Sequence, residues 1–325
     1  MDKVRFAIIG CGGIAQDHMK AIAELPNAEV AVTVDIAKDR AEQAAQKFGA
    51  KRWVTSTEEA LKDEAVNAVS VCLPHSLHEA HALMAARAGK HILVEKPMAV
   101  SLAACDAMIA AAEAAKVRLM VGQVLRFREV NREARRMIQA GKIGQPMNVI
   151  RRRHSWTKEH RAEPWSNNPA VAGGWVLYGF GAHEVDMILY LNDAHARTTF
   201  ALGRKTNPHW QDYDDIDILF DLSNGAMATM THTINVKPGA WDCVIAGTEG
   251  SLFITNDAIA LNGETLPQKF DYAGGMQRQL AEFVNAVIEG REPEASGRDV
   301  RRTMQALEAV KISLAEKRAV EADKL

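Results

Sequence analysis

Val4-Arg5-Phe6-Ala7-Ile8-Ile9-Gly10-Cys11-Gly12-Gly13-Ile14-Ala15 opens the chain with six strand-forming, mostly apolar residues that end on a glycine turn. Helical periodicity follows over residues 14–25 and stops at Pro26-Asn27. Residues 29–34 (EVAVTV) read as a second strand that closes on Asp35, and the Ala-rich stretch 38–48 as a helix ended by Gly49. The alternation continues with strands at 68–73, 91–94 and 119–121 and helices at 77–88 and 102–115. Short apolar strands alternating with helices of about ten residues predict right-handed βαβ units on a parallel sheet covered on both faces.

The glycine turn fits G-x-G-x-x-G/A, with Ala15 in the last place. Gly10 suits the tight turn, Gly12 lets the backbone approach a pyrophosphate, and a small Ala15 lets the helix pack closely on the strand. Gly13 and Ile14 open that helix, whose free N–H groups and positive dipole end favour phosphate. Asp35, ending the next strand, suits the adenosine ribose hydroxyls and repels a 2′-phosphate. These features predict a doubly wound, dinucleotide-binding Rossmann domain over residues 1–122, with NAD favoured over NADP. Lys38 and Arg40 weigh the other way on the phosphate, and the alternative for Asp35 is a cap on the following helix.

The chain has 325 residues, more than one typical core, so a second domain over 123–325 is expected. Hydrophobic residues at 47% and charged residues at 25% are ordinary for a globular protein. A formal net charge of -2 supplies no basic field for nucleic acid. No stretch approaches the roughly 18 apolar residues of a membrane span. The first apolar run leads into glycines and not into a signal-peptide cleavage site. Cys11, Cys72, Cys105 and Cys243 are scattered, without CxxC or metal-ligand spacing. Free thiols in a reducing cytoplasm, and no metal, are therefore expected.

Further segments specify more than a cofactor class. Pro74-His75-Ser76-Leu77-His78 follows the 68–73 strand, and Glu95-Lys96-Pro97 follows the 91–94 strand. Gly122-Gln123-Val124-Leu125-Arg126-Phe127 comes next, then Gly141-Lys142-Ile143-Gly144-Gln145-Pro146. A long stretch runs Ala172-Gly173-Gly174-Trp175-Val176-Leu177-Tyr178-Gly179-Phe180-Gly181-Ala182-His183-Glu184-Val185-Asp186, and Gly247-Thr248-Glu249-Gly250 and Glu289-Gly290-Arg291-Glu292-Pro293 follow. In this order the segments resemble the glucose–fructose oxidoreductase / inositol dehydrogenase (Gfo/Idh/MocA) family over nearly the whole chain. The resemblance implies an α/β C-terminal domain on a large, mostly antiparallel open sheet that makes homodimers or homotetramers. Locally, residues 148–152, 216–220, 227–233, 244–246 and 252–255 read as strands, and 277–289 and 299–317 as helices.

The resemblance also implies site residues. Leu73, Pro74, His75, His78, Glu95, Lys96 and Gln123 join the glycine loop and Asp35 around the cofactor. Lys96 and His183 sit beside the nicotinamide as catalytic groups. Arg126, Arg153, Trp165, Trp175, Tyr178 and Gly179 join them at the substrate. The chemistry agrees: removing hydride from an alcohol carbon requires a base for the hydroxyl proton, and histidine suits that task near neutrality. A lysine ammonium stabilises the oxygen's charge. His75, His78 and His81 lack an acid or cysteine that would make a metal set, and packing near the cofactor is the preferred reading.

Two positions depart from the family pattern. Members usually carry an aspartate four residues before the histidine, where this chain has Gly179; Tyr178 or Asp186 is a partial substitute. Trp175 replaces a third glycine and reshapes the substrate pocket. Along a strand, Arg151 and Arg153 face one side and Arg152 the other, to meet either an anionic or polyhydroxylated substrate or salt-bridge partners. Trp156, Trp165 and Trp175 offer sugar-stacking faces or core packing. The expected activity is hydride transfer between NAD(H) and a sugar, cyclic polyol or related hydroxy compound. The alternatives are redox-neutral chemistry on tightly held NAD and a non-catalytic NAD-binding regulator.

Overall fold

A computed structural model describes residues 2–157 and 164–325. The chain forms two compact units, one comprising residues up to Val124 with Met276–Arg301, the other Leu125–Gly275 with Arg302–Leu325. No helix among the described residues is long and apolar enough to cross a membrane.

The first unit is a six-stranded, all-parallel sheet of β1 (Val4–Ile9), β2 (Ala28–Val34), β3 (Arg52–Val54), β4 (Ala68–Val71), β5 (His91–Glu95) and β6 (Leu119–Gly122). Their order is β3-β2-β1-β4-β5-β6. The chain winds outward from β1 in both directions, so a crevice opens at the carboxyl ends of β1 and β4, where open α/β sheets take ligands. Phe6, Ile8 and Ile9 on β1 and Ile92 and Leu93 on β5 are fully buried, as strands covered on both faces must be. Strand β3 has no counterpart in the sequence reading. Arg52-Trp53-Val54 is a three-residue edge strand, and too short to show a period.

Residues 276–301 return to this unit, although sequence order had assigned everything after 122 to the second domain. The Phe283 ring meets Phe6 at 5.7 Å, the Val121 amide donates to Ala295 O at 2.9 Å, and an added Cβ on Gly297 would stand 2.7 Å from Leu119.

The second unit is built on nine strands: β7 (Pro146–Trp156), β8 (Ala196–Arg204), β9 (Asp215–Leu222), β10 (Met227–Thr233), β11 (Asn235–Gly247), β12 (Ser251–Ile254), β13 (Ile259–Leu261), β14 (Glu264–Thr265) and β15 (Val320–Glu321). Their order is β14-β13-β12-β11-β7-β10-β9-β8-β15, and every pairing is antiparallel except β7 with β10. Strand β9 shows why one face is core. Ile216, Ile218, Phe220 and Leu222 are buried while Asp217 and Leu219 point outward. The helix Gly181–Asn192 packs on β7 and β10 and is buried on nearly every side, which suits its apolar sequence. It is entered through a π-helical turn, Trp175–Phe180, in which the Gly181 amide donates to Val176 O.

Candidate nucleotide and substrate sites

In the first unit, Gly10 has φ +88°, and an added Cβ would stand 2.4 Å from Cys72 O. Both the turn and the close approach of β4 exclude a side chain there. Gly12 and Gly13 differ, because no described atom lies within 4 Å of an added Cβ. Gly12 precedes the helix Gly13–Ala23 without a side-chain cap or an acid in its first turn, so that helix presents its first amides to open space. Ala15 is fully buried and lets the helix lie close on the sheet. Asp35 is 8% exposed. Its Oδ2 accepts from the Cys11 amide at 3.0 Å and its Oδ1 from the Ala37 amide at 2.9 Å. The carboxylate therefore joins the glycine loop to the end of β2. Arg40 lies 3.9 Å away, too far for a tight pair.

At the ends of β4, β5 and β6 a second set of contacts fixes Lys96. Glu95 is buried; its Oε1 meets His18 Nε2 at 2.9 Å and its Oε2 accepts the Lys96 amide at 3.2 Å. His18 Nδ1 in turn meets Ser70 Oγ at 2.8 Å. Burial alone would depress His18, but the Cys72 sulfur and the Glu95 carboxylate outweigh it and push its pKa up to about 10. Burial would raise Glu95, and the hydrogen bond and charge of His18 lower it on balance. Gly122 is glycine because a Cβ would stand 2.5 Å from Glu95 Oε1. On the other side, His78 bridges Pro97 O at 2.8 Å and Leu73 O at 2.9 Å, and burial lowers its pKa. His75 is buried and its ring lies 5.8 Å from that of His78. Lys96 itself is half-buried. Gln123 is fully buried, and neither end of its amide has a hydrogen-bond partner among the described residues. An orphaned buried amide just past the carboxyl end of β6 fits a polar ligand such as a nicotinamide dinucleotide.

In the second unit, His183 stands in the first turn of Gly181–Asn192 and is half-buried. The next residue, Glu184, is fully buried and gathers Arg151 at 2.6 Å, Arg153 at 3.2 Å and Trp241 Nε1 at 3.2 Å. Arg152 points the other way, to Asp242 at 2.6 Å. The alternation of the three arginines is as the strand period requires, and each meets a carboxylate of this unit. The Arg153 guanidinium also lies 4.3 Å from the Phe180 ring and 4.4 Å from Trp241. Phe180 meets Trp175 edge-on at 5.3 Å, and Trp175 meets Trp165 at 5.6 Å.

Two residues expected at the substrate are turned into the core of this unit instead. Arg126 is 1% exposed and makes a bidentate pair with Asp186, through Nε at 2.8 Å and Nη2 at 2.6 Å, and Thr303 Oγ1 donates to the same carboxylate. Tyr178 is fully buried and its hydroxyl donates to Glu308 at 3.2 Å. Neither Asp186 nor Tyr178 replaces the family's aspartate, because both are committed to these internal partners.

A family model described as "Oxidoreductase family, NAD-binding Rossmann fold" matches residues 4–123, and one described as "GFO/IDH/MocA C-terminal domain" matches residues 131–253. The NAD(+)-dependent scyllo-inositol 2-dehydrogenase of Bacillus subtilis is 30% identical over 78% of this chain and 74% of its own length. This chain belongs to the Gfo/Idh/MocA family. Among other members, the 1,5-anhydro-D-fructose reductase of Ensifer adhaerens is 29% identical over 91% of both chains. The aldose–aldose oxidoreductase of Caulobacter crescentus, solved with glycerol, superposes with a TM-score of 0.89 at 26% identity over 98% of this chain and 99% of that one.

For a Gfo/Idh/MocA protein the sequence reading missed the groups behind the motif residues. His18 is hidden in the glycine-loop helix, and its signal was a histidine on that helix's apolar face beside Met19 and Ile22. Glu184 lies inside the 172–186 stretch without a role assigned to it, and His232 lies in no motif. His232 is 1% exposed, neither ring nitrogen has a partner among the described residues, and burial, helped by Arg153 and His154, lowers its pKa to about 3. It is neutral at working pH. For Asp35, Asn is the informative replacement, since it keeps an acceptor for the Cys11 amide and removes the charge. Asp35→Asn is expected to narrow the ratio of NADP to NAD dissociation constants by about tenfold, read by titration with both reduced cofactors. An unchanged ratio would remove Asp35 from cofactor discrimination.

Proposed function

We propose that this chain is an NAD(H)-dependent dehydrogenase or reductase acting on a CH–OH carbon of a sugar, cyclic polyol or related hydroxy compound. The observation that carries this reading is Lys96 at the carboxyl end of β5, with its backbone fixed through Glu95 and His18 on one side and Pro97 and His78 on the other. Activities named for the inositol, anhydrofructose and aldose relatives support the substrate class.

Bound NAD supplies the two-electron hydride acceptor or donor. Gly12, Gly13, Asp35 and Gln123 hold it. The Lys96 ammonium binds the substrate oxygen and stabilises negative charge developing there. His183 accepts the hydroxyl proton at a ring nitrogen and returns it in the reverse direction. Incubation with NAD and a panel of pyranoses and inositols is expected to accumulate reduced nicotinamide for at least one of them. Cofactor binding without turnover across the panel, in both directions, would contradict the proposal.

The same reading includes a reducing cytoplasmic location, in keeping with four buried, free cysteines. It also includes self-association through the open sheet face. Phe253, Val244, Ile150, Thr229, Leu219 and Phe200 form one continuous row across β12, β11, β7, β10, β9 and β8. Within it Phe253, Ile150 and Leu219 are 42–46% exposed, an apolar surface that suits a second copy of the chain. Ile150→Asp with Leu219→Asp is expected to halve the molar mass by light scattering, or to reduce it further from a tetramer. An unchanged mass would place the interface elsewhere.

A further inference from the structure

We infer that Trp175 and Gly179 are one coupled specificity element, which gives the turn before His183 an aromatic wall that receives the C–H face of a ring substrate. Gly179 is not required by its backbone, whose φ lies outside the left-handed region. It is required by space. An added Cβ would stand 2.8 Å from Cε3, 2.9 Å from Cδ2 and 3.2 Å from Cζ3 of Trp175. Those are atoms of a rigid ring, so position 179 carries no side chain while the indole stays where it is. The two departures visible in the sequence, a tryptophan for a glycine and a glycine for an acid, are thus one packing event.

The indole is held in that place from several sides. Trp165 meets it edge-on at 5.6 Å and Phe180 at 5.3 Å. Phe180 is itself pinned by His232 at 6.1 Å and by the Arg153 guanidinium at 4.3 Å. The chain leading into Trp175 is equally fixed, since Gly174 has φ +100° and an added Cβ there would stand 2.4 Å from Asp212 Oδ2. The indole cannot swing aside to admit a larger residue at 179 without breaking this cluster.

The position decides the consequence. Residue 179 lies four residues before His183, in the π-helical turn that leads into the helix carrying it. The adjoining acid, Glu184, is buried beneath Arg151, Arg153 and Trp241, and His232 is neutral. Around the turn an indole, a phenyl ring and a neutral imidazole stand where a hydroxyl-binding carboxylate would otherwise be. Trp175 and Phe180 both keep part of their surface exposed. Such a wall favours a C–H face over a hydroxyl at the substrate carbons next to the reacting one. The substrate half of this inference rests on the proposed function; the coupling half does not.

Thermal melts of the holoprotein with NAD test the coupling without any substrate. Gly179→Ala alone is expected to lower Tm by roughly 3–6 °C, although alanine ordinarily favours a helix over glycine. In a Trp175→Gly background the same Gly179→Ala change is expected to leave Tm unchanged or raise it. Additive shifts in the two backgrounds would overturn the coupling. If Gly179→Ala alone fails to fold, recovery of a soluble, NAD-binding protein in the double variant carries the same meaning. For the wall, Trp175→Leu is expected to raise KM about tenfold for a cyclic substrate with kcat changed less than threefold, and to leave KM for an acyclic hydroxy substrate unchanged. Equal effects on both substrates, or a loss confined to kcat, would overturn the aromatic wall while leaving the dehydrogenase reading intact.

Discussion

Replacing Lys96 by methionine lowers kcat/KM by about three orders of magnitude if the ammonium carries the substrate oxygen, because stabilisation and proton handling of this kind contribute roughly 10²–10⁴. Methionine keeps most of the unbranched side chain, one atom shorter, and removes its charge. The backbone at 96 is fixed by its own amide and by Pro97 O, neither of which the replacement touches. NAD affinity is therefore expected to stay within about threefold and Tm within about 2 °C. Steady-state kinetics beside a cofactor titration separate the outcomes. Unchanged turnover would remove Lys96 from the mechanism; an equal loss of cofactor affinity would make it a dinucleotide ligand only.

His18→Leu has the second large effect, and it falls on stability. The histidine is fully buried against Glu95, and removing it leaves a buried carboxylate without its partner, a change that costs about 3–5 kcal/mol. The pH dependence identifies the cause. His18 is raised in the folded state from 6.5 to about 10, so its contribution is complete below pH 6.5 and is lost as pH rises through 10. Glu95 is lowered from 4.5, so its contribution is complete above that value and is lost as pH falls through its lower folded value. The gap in urea midpoint separating wild type from variant is therefore expected to be widest between pH 4.5 and 6.5 and to narrow progressively as pH rises from 6.5 to about 10. It also narrows in acid, where the stranded Glu95 of the variant takes up a proton. A gap independent of pH would assign the loss to packing alone.

The parts of the fold that are local in sequence were legible in it. Strand β1, the glycine turn and Asp35 follow one another within 32 residues and obey steric rules that need no tertiary information. The return of residues 276–301 to the first unit was not legible, because Phe283 meets Phe6 from the far end of the chain. Strand β3 was invisible for the opposite reason: three residues at a sheet edge carry too little pattern. At the site, Lys96 and His183 were marked by their motifs, whereas His18 and Glu95 meet across 77 residues of sequence. The strand period of 2 correctly sent Arg151 and Arg153 to one side, but nothing in it named Glu184 as their partner. Arg126 and Tyr178 were placed at the substrate by the resemblance alone, and nothing in the sequence named Asp186 as the partner of the first or Glu308 as the partner of the second. Residues 175 and 179 each stood out as unusual, and only their 2.8 Å approach in space joins them.

Transfer of isotope tests the central claim most directly. With a substrate of the sugar or polyol panel that carries deuterium at the carbon bearing the hydroxyl, mass spectrometry of the cofactor after turnover is expected to find the label on the reduced nicotinamide at C4, one deuterium for each molecule of product. Product formed with the label lost to solvent, or with the nicotinamide never reduced, would contradict hydride transfer as the function of this chain.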